Sequence, residues 1–107
     1  MGGSQLSVRV AGGRDRVTIT LRGDLDIATV SDFEARANAV LRLGTARLVL
    51  DLARVGFLTS TGLGALVRIG EEARRQECEL VVVNPSPLAM HVLRTTGLVE
   101  ALNVTPA

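Results

Sequence analysis

Leu6, Val8 and Val10 alternate with polar residues, as do Val17, Ile19 and Leu21 with Thr18, Thr20 and Arg22. A period of two predicts strands with one covered and one solvated face. Ala11-Gly12-Gly13-Arg14 between them is a turn signal, so the two strands are expected to pair antiparallel. Beyond Gly23-Asp24-Leu25-Asp26 the period changes: Val30, Phe33, Ala37, Val40 and Leu41 fall on one helical face. That helix should begin between Ile27 and Ser31, where Thr29 with Asp32 and Ser31 with Glu34 have cap-like spacing, and should stop at Gly44. Arg47 to Leu52 and Leu80 to Val83 are apolar without alternation, which predicts strands covered on both faces. Between them Leu63, Leu66, Val67, Gly70 and Ala73 predict an amphipathic helix from about Thr61 to Gln76. Its charges, Arg68, Glu71, Glu72, Arg74 and Arg75, lie mostly off the apolar stripe and read as a solvated face. Ser86 and Pro87 are placed as N-cap and first residue of a short helix over Leu88 to Thr95. Gly97 ends it, with Leu98 set for the contact of a Schellman-type cap, and Leu102-Asn103-Val104 is a weak last strand.

The order β-β-α-β-α-β-α-(β) predicts an α/β fold. Its sheet should be mixed and mostly parallel, with an N-terminal antiparallel pair, right-handed crossovers and about three to four helices. With 107 residues and no linker, repeat or low-complexity tract, residues 1–107 are expected to form one domain. Residues 1–4 read as a flexible start; position 6 is Leu6, so the myristoylation pattern fails.

Composition narrows the function. Hydrophobic residues make up 47% and charged residues 21%, with a net charge of +1, which excludes disorder. A net charge so small and an aromatic content of 2% argue against nucleic acid as a partner. No run reaches the roughly 18 apolar residues of a membrane span, and no cationic segment leads into an apolar one, so a cytoplasmic protein without membrane association is expected. The single cysteine, Cys78, rules out an internal disulfide and reads as a small hydrophobe.

Catalytic constellations are missing from the sequence. The only histidine, His91, reads as a surface residue. Ser60 lacks a Gly-x-Ser-x-Gly setting, Gly56 to Gly62 lacks a following Lys-Ser/Thr, and Gly62-Leu63-Gly64 lacks a third glycine. No enzyme, no cofactor and no metal is therefore expected. Asp24 and Asp26 read as braces for the loop they occupy, since a hard-metal site needs more oxygen ligands.

The most informative stretch is Val55 to Gly64. Thr59, Ser60 and Thr61 sit where a strand turns into a helix. Hydroxyl residues there are natural N-caps, and a helix N-terminus also accommodates anions. Asp24 and Asp26 follow the second strand, and ligands of open α/β sheets gather at the carboxyl ends of strands, so both are expected to flank Thr61.

Phe57-Leu58-Thr59-Ser60-Thr61-Gly62-Leu63-Gly64 resembles the Asp-Ser-Ser/Thr-Gly-Leu-Gly signature of the STAS family, the anti-sigma factor antagonists. Gly23-Asp24-Leu25-Asp26 resembles that family's Gly-Glu/Asp-Leu-Asp segment, and the resemblance covers nearly the whole chain. It implies a STAS domain that binds an anti-sigma factor and so frees a sigma factor. The anti-sigma factor would be a histidine-kinase-like ATPase acting as a Ser/Thr kinase. It would phosphorylate the second hydroxyl of the pair, here Thr61, with Ser60 as the alternative; a phosphatase of the PP2C type would reset the switch. Asp24, Asp26, Thr59, Ser60, Thr61, Gly62 and Leu63 are the implied partner contacts. One departure is Thr59, which stands where the family has Asp. Two other readings are a STAS subunit of a transporter or similar assembly, and a small nucleotide-binding domain, the latter weakened by the missing phosphate loop lysine.

Overall fold

The structure is a computed structural model and describes residues 5–105; the expected flexible start, residues 1–4, lies outside them. The strands are β1 (Leu6–Gly12), β2 (Arg16–Leu25), β3 (Arg47–Leu58), β4 (Glu79–Val83) and β5 (Val104–Thr105). The helices are α1 (Val30–Arg42), α2 (Ser60–Arg75) and α3 (Pro87–Thr95). They form one five-stranded sheet in the order β1-β2-β3-β4-β5. The pair β1–β2 is antiparallel and the rest are parallel, as the sequence pattern predicts.

The helices form where the apolar stripes place them. Val30, Phe33, Ala37, Val40 and Leu41 bury one face of α1, and Leu63, Leu66, Ile69 and Ala73 bury one face of α2. Gly97, at φ +73°, ends α3 while the Leu98 N–H donates to the Leu93 carbonyl at 2.9 Å, the Schellman geometry. Ser86 caps α3 by accepting from the Ala89 N–H at 3.1 Å, and its hydroxyl donates to the Val55 carbonyl at 2.6 Å.

Three expectations need correction. The inner strands are not covered on both faces. Ile19, Leu21, Leu48, Leu50, Leu52, Leu80 and Val82 share one cluster with the buried residues of all three helices. The opposite face carries Thr18, Thr20, Asp51, Val81 and Val83, all half-buried, with exposed Arg9 and Arg22 at its β1–β2 end. Only Val49 on that side is buried, which is why the β3 sequence does not alternate. Second, β3 continues past Leu52 to Leu58, because register shifts opposite Leu21 and at Gly56 keep it paired with β2 where the apolar run stops. Third, Thr29 occupies the N-cap position of α1 but makes no side-chain cap. Its hydroxyl instead donates to the Asp24 carbonyl at 2.7 Å and accepts from the Asp26 N–H at 3.1 Å.

Candidate functional site

The carboxyl ends of β2 and β3 meet beside the start of α2. Asp24 pairs with Phe57 and Leu25 with Leu58 across the two strands. The next residue, Thr59, is the N-cap of α2: its side chain accepts from the Gly62 N–H at 3.2 Å. Its own N–H donates to the Leu25 carbonyl at 3.2 Å, and its hydroxyl leans on the same oxygen at 3.4 Å. Thr59 thus pins the helix start to the end of β2. An Asp in this place could cap the helix in the same way, so Thr59 supplies the cap without the charge.

Gly62 is required by the same contact. A Cβ on it would stand 2.3 Å from the Leu25 carbonyl oxygen, a backbone atom that cannot move aside cheaply. Leu63 is buried in the core, so Gly62 and Leu63 place the turn rather than stand out from it.

Ser60 and Thr61 differ from Thr59. Both are exposed, and among the described residues neither hydroxyl has a hydrogen-bond partner. They occupy the first turn of a 16-residue helix whose first turn holds no acidic side chain. The helix dipole and the free N–H groups of that turn favour an anion there.

The two sequence-predicted aspartates have separate roles. Asp26 is buried and structural: its carboxylate accepts from the Ala28 N–H at 2.9 Å and lies 3.4 Å from the Thr29 hydroxyl. This is the bracing expected of it. Asp24 stays half-exposed; its backbone N–H donates to the Gln5 carbonyl at 2.9 Å, and its side chain lies near Gly56. Among the described residues no group of three or more His, Cys, Asp or Glu is placed to hold a metal.

Three apolar residues around this end escape the sequence reading. Ile27 is 79% exposed in the β2–α1 loop, Phe57 is 54% exposed at the end of β3, and Leu88 is 38% exposed in the first turn of α3. An apolar residue at a loop tip or helix start, where no periodic stripe claims it, is the sequence signal that marks them.

One ion pair braces the helices behind the turn. Arg68 on α2 grips Glu34 on α1 with two bonds, 3.0 and 2.8 Å. The hydrogen bond from Arg68 holds the Glu34 carboxyl below the usual carboxylate range, with slight burial acting against it. Cys78 is buried, and desolvation pushes its thiol up.

This geometry defines a class of protein: a small α/β domain presenting exposed hydroxyl side chains at a helix start, next to the strand end that carries the exposed Phe57. The family model described as Mlab, STAS domain, matches residues 8–104. The chain belongs to the STAS domain family. It is 29% identical over 86 residues to the anti-sigma F factor antagonist of Lysinibacillus sphaericus, covering 79% of this chain and 74% of that protein. To the anti-sigma-B factor antagonist of Staphylococcus aureus it is 27% identical over 86 residues, 80% of each chain. The crystal structure of an anti-sigma factor antagonist from Mycobacterium paratuberculosis superposes with a TM-score of 0.86 at 25% identity, over 96% of this chain and 87% of that one. No helix among the described residues is long and apolar enough to cross a membrane.

Proposed function

We propose that this chain is an anti-sigma factor antagonist: a non-catalytic, cytoplasmic binding module switched off by phosphorylation at Thr61. Unmodified, it binds an anti-sigma factor over the β2–α1 loop, the end of β3 and the start of α2, and thereby releases a sigma factor. The anti-sigma factor is itself the Ser/Thr kinase, and a phosphatase of the PP2C type reverses the modification. The observation that carries this reading is the division of labour among the three hydroxyls. Thr59 is consumed as the cap, while Thr61 and Ser60 are exposed and their hydroxyls have no hydrogen-bond partner among the described residues. The exposed Phe57, with Ile27 and Leu88 also exposed, supports a protein partner, since aromatic residues are enriched at interface cores.

Phosphate adds about −1.5 to −2 charges. At the start of α2 the fold tolerates them, because the dipole and free N–H groups favour an anion. A partner packed over that turn would bury an uncompensated dianion, at a cost of several kcal/mol. Only about 2.7 kcal/mol weakens a complex a hundredfold. The modification therefore ends binding while leaving the domain folded.

The test is intact mass with phosphopeptide mapping on protein from its own cells, in growth and under stress. A species heavier by one phosphate, mapped to Thr61 and lost in Thr61→Ala, supports the switch. Phosphate at Ser60 moves the site by one residue. No phosphate under any condition refutes the switch. A second reading, a STAS subunit that packs the same turn on a neighbouring subunit of a transporter or other assembly, is favoured by the Mlab description of the matching family model. Partner capture separates the two: a kinase-like ATPase against the subunits of an assembly.

A further inference from the structure

The half-open face of the sheet carries a group of arginines that the proposed switch does not use. Arg22 on β2 and Arg54 on β3 are direct neighbours across the parallel pair. Arg9 on β1 lies on the same face, opposite Thr20, and Ser7 stands opposite Arg22. The register shift opposite Leu21 is what turns Arg54 onto this face: Thr20 pairs with Asp51 but Arg22 pairs with Arg54, so β3 spends one residue more than β2 between them. Together Ser7, Arg9, Thr20, Arg22, Asp51 and Arg54 line a cleft of about 240 Å³.

Like charges side by side on adjacent strands destabilise a sheet. Here they are not relieved from within. Among the described residues the ion pairs use Arg36, Arg47, Arg68 and Arg75, and none uses Arg9, Arg22 or Arg54. Among the described residues one carboxylate lines the cleft, Asp51, and one of its oxygens accepts from the Ala53 N–H at 3.0 Å. Three guanidiniums against one carboxylate leave an excess of two positive charges. That excess matches a phosphate monoester, which carries about −1.5 to −2 at neutral pH. Guanidinium forks suit phosphate oxygens, and the hydroxyls of Ser7 and Thr20 add neutral donors. A water occupies about 30 Å³ of liquid, so the cleft has room for a phosphoryl group with part of its hydration. Base stacking is excluded: Phe33 is buried in the core and Phe57 belongs to the other site, so no aromatic ring reaches the cleft.

We infer that the open face of the sheet is a binding site for a phosphate monoester, gripped by Arg9, Arg22 and Arg54. The ligand is either a free small molecule or the headgroup of an anionic lipid. The experiment is a backbone NMR titration of the unphosphorylated full chain with glycerol phosphate, beside cosedimentation with vesicles of phosphatidic acid in phosphatidylcholine. Saturable shifts at the Ser7, Arg9, Thr20, Arg22 and Arg54 amides are expected, with affinity about tenfold weaker in Arg22→Gln/Arg54→Gln. The double variant should melt no lower than the parent, since it loses only a repulsive pair. Vesicle binding that the same double variant abolishes identifies a lipid headgroup; shifts with glycerol phosphate and no vesicle binding identify a free ester. Binding of neither probe, equal binding by the double variant, or shifts confined to Thr59–Leu63 would overturn the inference.

Discussion

Replacing Thr59 and Thr61 separately by alanine splits the structural hydroxyl from the functional one. Thr59→Ala removes the acceptor of the Gly62 N–H, a 3.2 Å cap bond, and a long 3.4 Å contact to the Leu25 carbonyl. Losing an N-cap threonine costs about 1 kcal/mol, and the long contact adds little. The backbone bonds of Thr59 to Leu25 and Leu63, at 3.2 and 2.8 Å, survive the substitution, so the loss should stay near that value. For a domain of this size it lowers the melting temperature by about 4–8 °C. Thr61→Ala removes an exposed hydroxyl that has no partner among the described residues, and stability should stay within about 0.5 kcal/mol of the parent. Thr59→Asp restores the cap and adds a favourable charge at the helix start, so it should melt at or above the parent, by about 0.3–1 kcal/mol at low salt. Circular dichroism melts and urea titrations of all three give the values directly. If Thr61→Ala fell as far as Thr59→Ala, the division between cap and free hydroxyl would be wrong, and with it the basis for assigning Thr61 the switch.

Gly62→Ala should cost about 1–3 kcal/mol, because its new methyl meets the Leu25 carbonyl; an unchanged urea midpoint would show that β2 and α2 can separate freely there. Ser86→Ala leaves both the Ala89 N–H and the Val55 carbonyl without their partner and should cost about 1–2 kcal/mol by the same urea titration. Arg68→Gln releases Glu34, whose carboxyl is held low in the folded chain. A depressed folded value stabilises above the unfolded value and is lost as pH falls through the folded one. The small gap in melting temperature between Arg68→Gln and parent should therefore be full at pH 7 and close below the ordinary value of 4.5; a gap that persists in acid would mean packing rather than charge. Ile27→Ser with Phe57→Ser should leave the melt nearly unchanged and weaken capture of the anti-sigma factor, read by surface binding.

The element order was legible because periods of two and of 3.6 alternate cleanly along the chain. The cap of α3, its Schellman end and the hydroxyl start of α2 were legible because each is a local pattern of a few residues. What could not be read depends on contacts across the chain. An unbroken Leu-Val-Leu run reads as a doubly covered strand, but Val49 is buried by its neighbours in the sheet and not by a second layer. The extension of β3 through Val55, Gly56 and Phe57 is held by pairing with β2, which no local propensity announces. Thr29 has the spacing of a cap, yet the loop carbonyl of Asp24 competes for its hydroxyl and wins. At the site, sequence alone does not separate the half-exposed Asp24 from the buried Asp26, because that difference is set by how the loop folds onto Ala28 and Thr29.

The length of β3 has a consequence for how the sheet avoids pairing with other chains. Its pairing with β4 ends at Asp51, while the strand itself runs on to Leu58. Beyond Asp51 one edge of a long strand is open to any passing extended chain, the template on which proteins add strands to one another. Ser86 closes it at two points: its N–H donates to the Leu52 carbonyl at 3.0 Å and its hydroxyl to the Val55 carbonyl at 2.6 Å. The cap of a helix thus doubles as a stopper on a sheet edge. Its removal should show first as aggregation during refolding, before any change in the folded chain's own activity.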